Sequence, residues 1–190
     1  MGLLANLSQK IGNDLVKSKV VEAEDVEIYI YGINQILVSI LNVSSALIIG
    51  FIFGVIPEVA VFMAAYIPLR SFAGGYHAQT PLRCYIFSVI MLIVISIGLK
   101  YLHIADWVYY AVLVAATLVV LVLSPVEDRN KPLDEIEHKV YKRRTILIAA
   151  VELTLAMLLK LLMLDDLFIA TAYSFVVLSL MLIAGKVKNH

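Results

Sequence analysis

The sequence predicts an all-α, polytopic integral membrane protein with about six transmembrane helices and an amphipathic surface helix at its N-terminal end. Three observations support this: the composition, the length of the apolar runs and the position of the basic residues between them. Of the 190 residues, 62% are hydrophobic and only 16% are charged, whereas soluble domains are about half apolar and a quarter charged. We expect the whole chain, 1–190, to form a single membrane domain. Its net charge of zero argues against nucleic-acid binding.

The N-terminal segment, residues 1–30, has the pattern of an amphipathic helix. Apolar residues recur at helical spacing on one side, and charged residues occupy the other. The apolar positions are Leu3, Leu4, Leu7, Ile11 and Leu15, and the charged ones are Lys10, Asp14 and Lys17. Such a helix either lies on the membrane surface or packs on loops of the protein itself.

Five apolar runs are long enough to cross a bilayer. They lie near 33–56, 84–100, 106–124, 145–164 and 167–185. A sixth candidate, 58–69, is shorter, since its helix would cover only about 18 Å of a core roughly 30 Å thick. It is either a re-entrant hairpin or a span lengthened through Ser71-Phe72-Ala73, with Arg70 shielded by protein.

The basic residues predict the orientation. With six crossings and the N-terminus inside, the loops 70–83 and 125–144 and both termini lie inside. Those regions hold every Lys and Arg except Lys100 and Lys160. By the positive-inside rule this side is the cytoplasm. His77 and Cys84 then face the cytoplasm whether or not 58–69 crosses.

The only cysteine lies at a predicted helix start, in the run Arg70-Ser-Phe-Ala-Gly-Gly-Tyr-His-Ala-Gln-Thr-Pro-Leu-Arg-Cys84. Thr80 suits the N-cap position and Pro81 the first helical position, so Cys84 falls in the first turn. The positive helix end and the neighbouring Arg83 favour the thiolate, which is the nucleophilic form. We therefore predict a reactive cysteine at the cytoplasmic face of the membrane.

His77 is the candidate base for this nucleophile, because a histidine paired with a cysteine is a common arrangement for acyl transfer. It precedes the helix cap, and Gly74 and Gly75 supply the backbone freedom that would fold it back over the helix start. The amides of the two glycines could also stabilise an oxyanion, by themselves or with the helix-start amides around Cys84. The plainer interpretation is a buried structural cysteine and a solvated histidine. Two ligands are too few for zinc, so no metal or other cofactor is predicted.

Other polar residues have structural and functional interpretations. Asn34, Gln35 and Asn42 in the first span could bond to other helices or orient His77. Glu152, in the run 145–164, is a functional candidate because a carboxylate in a membrane is costly. The alternatives are that it pairs with a basic loop residue or stays protonated. The loop 125–144 either anchors the topology or binds an acidic peptide or anionic lipid. Its candidate binding residues are Lys131, Lys142, Arg143 and Arg144.

The run Pro68-Leu-Arg70-Ser-Phe-Ala-Gly-Gly75-Tyr-His77-Ala, followed by Cys84, resembles the accessory gene regulator protein B (AgrB) family. These are membrane cysteine peptidases of Gram-positive quorum sensing. Chain length, multiple spans and the basic loop from Ser124-Pro125 to Lys131-Pro132 also match, although these features are less specific than the motif.

The resemblance implies a cysteine endopeptidase in the cell membrane, with its active site at the cytoplasmic face. Its partner would be a short AgrD-like precursor with an acidic C-terminal tail, and the enzyme would be a homodimer. Cys84 would attack the peptide bond and His77 would act as base and then acid, giving a thioester that the peptide resolves into a thiolactone or lactone. Arg70 and Gly75 match family positions linked to activity.

Two interpretations without peptidase activity remain open. In a small transporter or exporter, the polar first span and Glu152 would line a path and Cys84 would be incidental. A membrane scaffold would recruit partners through the loop 125–144. Both predict that loss of the Cys84 thiol leaves function intact.

Overall fold

Seven helices follow one another in the computed structural model, which describes residues 2–76, 80–102, 104–127 and 133–189. They are α1 (Gly2–Lys17), α2 (Val26–Phe53), α3 (Ile56–Ala73), α4 (Pro81–Tyr101), α5 (Asp106–Leu123), α6 (Glu135–Leu161) and α7 (Asp165–Asn189). The described residues form no strand beyond one isolated bridge between Gly74 and Val126. The predicted all-α class is confirmed.

Five helices, α2, α3, α4, α5 and α7, are long and apolar enough to cross a membrane. The chain therefore has the helices of a multi-pass membrane protein, and the number is close to the six predicted. The sixth long helix, α6, contains the predicted span 145–164. It differs from those five because its first ten residues, 135–144, are mostly polar or charged, and Glu152 and Lys160 lie in the apolar part that follows.

The segment 58–69 belongs to one continuous helix and does not fold as a hairpin. Helix α3 runs for 18 residues, about 27 Å at the rise of an α-helix. It begins directly after a two-residue turn at Gly54 and Val55, where Gly54 takes a left-handed conformation (φ 72°). It continues through Ala73 with Arg70 partly buried near its end. Of the two alternatives, the structure shows the lengthened helix.

Helix α1 forms as predicted and packs against α2. Ser8 and Gly12 are buried, and Gly12 lies so close to Ile30 of α2 that a side chain there would overlap it. Two residues of the predicted apolar stripe, Leu7 and Ile11, stay 43% and 36% exposed. The helix thus contacts α2 through its small residues, leaving part of the leucine-rich side uncovered.

Helices α3 and α7 form the centre of the bundle. Helix α7 packs against α3, α5 and α6, and α3 also packs against α2. The most apolar part of α7 is 56% buried, compared with 17% in α2 and in α4. One apolar cluster fills the space between α3, α5, α6 and α7, and a second fills that between α2, α3 and α4. The peripheral α2 and α4 therefore expose most of their apolar surface.

The described residues of the two predicted polar loops lie at one end of the bundle. The Val126 amide donates to the carbonyl of Ala73 at 2.9 Å, which joins the segment after α5 to the end of α3. The segment after α3 in turn bonds to the C-terminal half of α7, where the Met181 carbonyl accepts a hydrogen bond from the Tyr76 amide. At the opposite end, Lys160 pairs with Asp106 and Asp165, each at 2.7 Å. The residues around Cys84 and the start of α6 therefore share one end, as the sequence predicted.

Candidate active site

Cys84 lies in the first turn of α4, at the predicted helix start. The Thr80 hydroxyl oxygen accepts a hydrogen bond from the Arg83 amide at 3.3 Å, and Pro81 is the first helical residue. The Cys84 side chain is exposed. A thiol at this place is accessible to a peptide and lies near the positive end of the helix.

Arg70 organises the loop that follows α3. Its guanidinium donates two hydrogen bonds, one to the carbonyl of Gly74 and one to the carbonyl of Tyr76. The planar guanidinium holds its N–H donors in a fixed fork, so it can bind two carbonyl oxygens at a set spacing. Arg70 thereby holds residues 74–76 against the end of its own helix.

Gly74 and Gly75 fit this loop because of their fixed conformations. Gly74 has φ 75° and Gly75 has φ 116°, which residues with a side chain rarely adopt. A Cβ at Gly74 would overlap the carbonyl of Val126, and one at Gly75 would lie 2.7 Å from Nη1 of Arg70. The glycines thus supply the positive φ values that other residues resist, and they also allow a close backbone approach.

The amides of this loop are already used by the protein. Gly74 donates to the carbonyl of Arg70 at 3.2 Å, and Gly75 donates to that of Val126 at 3.3 Å. The Cys84 amide likewise donates to the carbonyl of Thr80 at 3.0 Å. The expected role of the glycine amides in stabilising an oxyanion therefore does not fit this geometry, because each N–H has a protein acceptor.

Helix α7 supports the loop through a face that the sequence analysis missed. The Tyr76 amide donates to the carbonyl of Met181 at 2.9 Å, and Lys188 lies 5.0 Å from the centre of the Tyr76 ring. Gly185 lies on α7 between Met181 and Lys188, and a Cβ there would lie only 2.7 Å from backbone atoms of Gly75 and Tyr76. The sequence contained one signal for this contact, Gly185 itself. A glycine inside an apolar helix often marks a place where another part of the chain packs closely.

A cavity of about 370 Å³ opens beside Cys84, between α2, α3 and α4. Arg70 and Tyr76 line its loop end together with Cys84. The other lining residues are Gln35, Ser39, Asn42, Val43, Met63, Tyr66, Ile67, Phe87, Ser88, Met91, Leu92 and Met181. The structure therefore brings the cysteine and the Arg70 loop to one pocket.

The predicted polar residues of α2 divide between two places. Gln35 and Asn42 line the cavity with Cys84, whereas Asn34 lines a separate depression between α1 and α2. Ser39, which the sequence analysis did not select, lies between Gln35 and Asn42 at helical spacing and lines the same cavity. Residues four and three apart share a helix face, so these side chains form one polar row.

Two predicted site residues, His77 and Lys131, lie outside the described residues. In the chain His77 directly follows Tyr76, which lines the same cavity as Cys84. The pairing of His77 with Cys84 and the role of Lys131 stay predictions.

The basic residues at the start of α6 have three different surroundings. Lys142 donates to the carbonyls of Leu121 and Ser124, the latter at 2.7 Å, so it caps α5. Burial lowers the pKa of its amine. Arg144 lies 5.1 Å from the centre of the Phe72 ring, at the end of α3. Arg143 is exposed and lines a shallow groove with His138 and Lys139.

Glu152 is buried in α6, with 7% of its surface exposed. Its Oε2 atom has no hydrogen-bond partner among the described residues.

The described residues also contain no group of three or more His, Cys, Asp or Glu side chains that could hold a metal ion.

The comparison with known proteins assigns the chain to a family. The family model described as accessory gene regulator B matches residues 8–184. The chain belongs to the accessory gene regulator B (AgrB) family. The match includes α2 to α6 and most of α7, and therefore every residue placed around the cavity. No solved structure matches the chain.

Relatives at low identity cover most of the chain. A protein of Clostridium perfringens (strain 13 / Type A), named as AgrB-like protein 2, is 24% identical over 164 residues, which are 82% of this chain and 77% of the relative. One from Listeria monocytogenes serotype 4a, named as AgrB-like, is 23% identical over 151 residues, 78% of this chain and 74% of the relative. The similarity thus extends well beyond the loop with the cysteine.

Proposed function

We propose that this protein is a membrane-embedded cysteine endopeptidase that cleaves the C-terminal tail from an AgrD-like precursor of a quorum-sensing peptide. Membership of the AgrB family supports a role in processing such peptides. The observation that carries the enzymatic proposal is the position of Cys84. Its thiol is exposed in the first turn of α4 and lines a cavity that also receives the loop leading directly to His77.

The first step forms an acyl-enzyme. The Cys84 thiolate attacks the carbonyl carbon of the peptide bond before the tail, after His77 has taken the thiol proton. His77 then donates that proton to the tail's amine as the C–N bond breaks. The products are the free tail and a thioester between Sγ of Cys84 and the signalling segment.

The second step releases the product as a ring. A thiol or hydroxyl within the signalling segment attacks the thioester carbonyl, and Cys84 leaves and regains its proton. Exchange of a thioester for a thiolactone is nearly neutral in free energy, so this step needs no ATP. Forming the thioester from an amide is uphill, and removal of the released tail draws the reaction forward.

Other residues position the loop and the substrate. Arg70, Gly74 and Gly75 hold the segment before His77 in one conformation through the contacts described above. Arg143 with Lys139 offers the acidic tail an exposed positive site, whereas Lys142 is committed to the end of α5. We place the site at the cytoplasmic face of the cell membrane of a Gram-positive bacterium, in a homodimer.

Release of the tail tests the proposed function. The purified protein in lipid vesicles is mixed with an AgrD-like precursor peptide, and peptide products are measured by mass spectrometry. We expect the tail and the shortened segment to accumulate in equal amounts. Vesicles without protein supply the control, and an intact precursor in both samples would contradict the peptidase.

A further inference from the structure

The cavity at Cys84 extends well into the helical bundle. On α4 its lining passes from Cys84 through Ser88 to Met91, two helical turns or about 10 Å. On α3 it passes from Arg70 to Met63 over the same distance. The pocket thus begins at the thiol and continues inward between helices, so a substrate bonded to Cys84 has space beneath it.

The cavity has one polar wall and two apolar walls. Helix α2 contributes Gln35, Ser39 and Asn42, while α3 and α4 contribute mainly apolar side chains such as Met63 and Met91. An apolar side chain would be stabilised by the methionines. The polar row suits the N–H and C=O groups of a peptide main chain, which need partners when they leave water. A lipid acyl chain would offer no N–H groups to the oxygens of that row.

The hydrogen bonds within the polar row indicate which groups it presents. The Ser39 hydroxyl donates to the carbonyl of Gln35 at 2.8 Å, and the Asn42 amide nitrogen donates to that of Val38 at 2.9 Å. Both donors therefore bond to their own helix. The oxygens of Ser39 and Asn42 keep acceptor capacity, which fits them to bind peptide N–H groups.

We infer that this cavity is the subsite for the residue on the acyl side of the cleaved bond, and that it selects a large, flexible apolar side chain there. This inference rests on the proposed peptidase function and deepens it. The volume of about 370 Å³ falls in the range of ligand pockets and holds that side chain with its adjoining main chain. Among the described residues that line the cavity, the one cationic group is Arg70, and it already donates to two carbonyls.

The test compares precursors that differ only at the acyl-side residue, which is methionine, tryptophan, alanine or lysine. The full chain in vesicles is used, and kcat/KM for tail release is measured for each peptide. For the wild type we expect methionine to be cleaved fastest and lysine at least about tenfold more slowly. A single methylene in an apolar pocket changes such ratios about 10- to 200-fold.

Variants of the lining methionines should change this order. Met63→Ala enlarges the cavity, and we expect the ratio of tryptophan to methionine cleavage to rise at least about tenfold. Met63→Trp fills the cavity, and alanine should become the preferred residue. Met91 lines the same cavity from α4, so Met91→Ala and Met91→Trp should change the order in the same way. The test therefore does not depend on the folding of one variant. Met157→Ala and Met157→Trp, at a half-exposed position on α6, are matched controls and should keep the wild-type order.

The outcomes separate this inference from the proposed function. If the wild type releases no tail from any peptide, the peptidase and the subsite both fail. If it releases the tail but cleaves lysine and methionine peptides equally, the subsite alone is wrong. An unchanged order of preference in all folded Met63 and Met91 variants would also overturn the subsite.

Discussion

Alanine in place of Cys84 is expected to abolish release of the tail, lowering kcat by at least about a thousandfold. The thioester forms on the sulfur of Cys84, and alanine has no sulfur with which to form it. The Cys84 side chain is exposed and the helix start is held by Thr80. We therefore expect the free energy of unfolding to change by less than about 0.5 kcal/mol.

Leu82→Ala is the matched control for this variant. Leu82 lies in the same turn of α4 and is 51% exposed, so its replacement should leave tail release within about twofold of the wild type. Full processing by Cys84→Ala would instead favour the transporter or scaffold interpretations. The buried carboxylate of Glu152 would then become the first residue to examine.

Gly185→Ala is expected to lower kcat for tail release at least about tenfold. The added Cβ would lie 2.7 Å from the backbone of Gly75 and Tyr76. Backbone atoms cannot move aside as a flexible side chain can, so the loop must shift away from α7. The displaced loop leads directly to His77, and catalysis depends closely on such positioning. Alanine favours a helix over glycine by about 1 kcal/mol, so α7 itself should not be weakened.

Gly32→Ala is the control that isolates the loop contact. Gly32 also lies in a long helix, but a Cβ there would meet nothing within 4 Å. This variant gains the same helix preference and should keep wild-type activity. If Gly185→Ala keeps wild-type kcat as well, the loop does not depend on its packing against α7.

The sequence predicted the features that depend on local patterns. Apolar runs identified the long helices, and Thr80-Pro81 placed the start of α4 and hence Cys84 in its first turn. For 58–69 the sequence left two alternatives, because length alone does not show whether a helix continues past an arginine. The hydrogen bonds of Arg70 to the following loop explain how the helix continues through that charge.

The supports of the site could not be predicted in the same way, because they join distant parts of the chain. Gly75 donates to the carbonyl of Val126 and Tyr76 donates to that of Met181, and no local pattern connects these residues. For the same reason the glycine amides looked available for an oxyanion, although the fold supplies each with an acceptor. From the sequence, the three basic residues 142–144 appeared equally able to bind substrate. Only the fold shows that the Lys142 ammonium donates to carbonyls at the end of α5.

The intact mass of the protein after a short incubation with its precursor tests the central claim most directly. Wild type, Cys84→Ala and His77→Ala are compared in vesicles, before and after hydroxylamine treatment. The account predicts that only the wild type gains the mass of the precursor's N-terminal fragment, and that hydroxylamine removes it, as expected for a thioester. A precursor cleaved without any such adduct, or an adduct of the same size on Cys84→Ala, would contradict it.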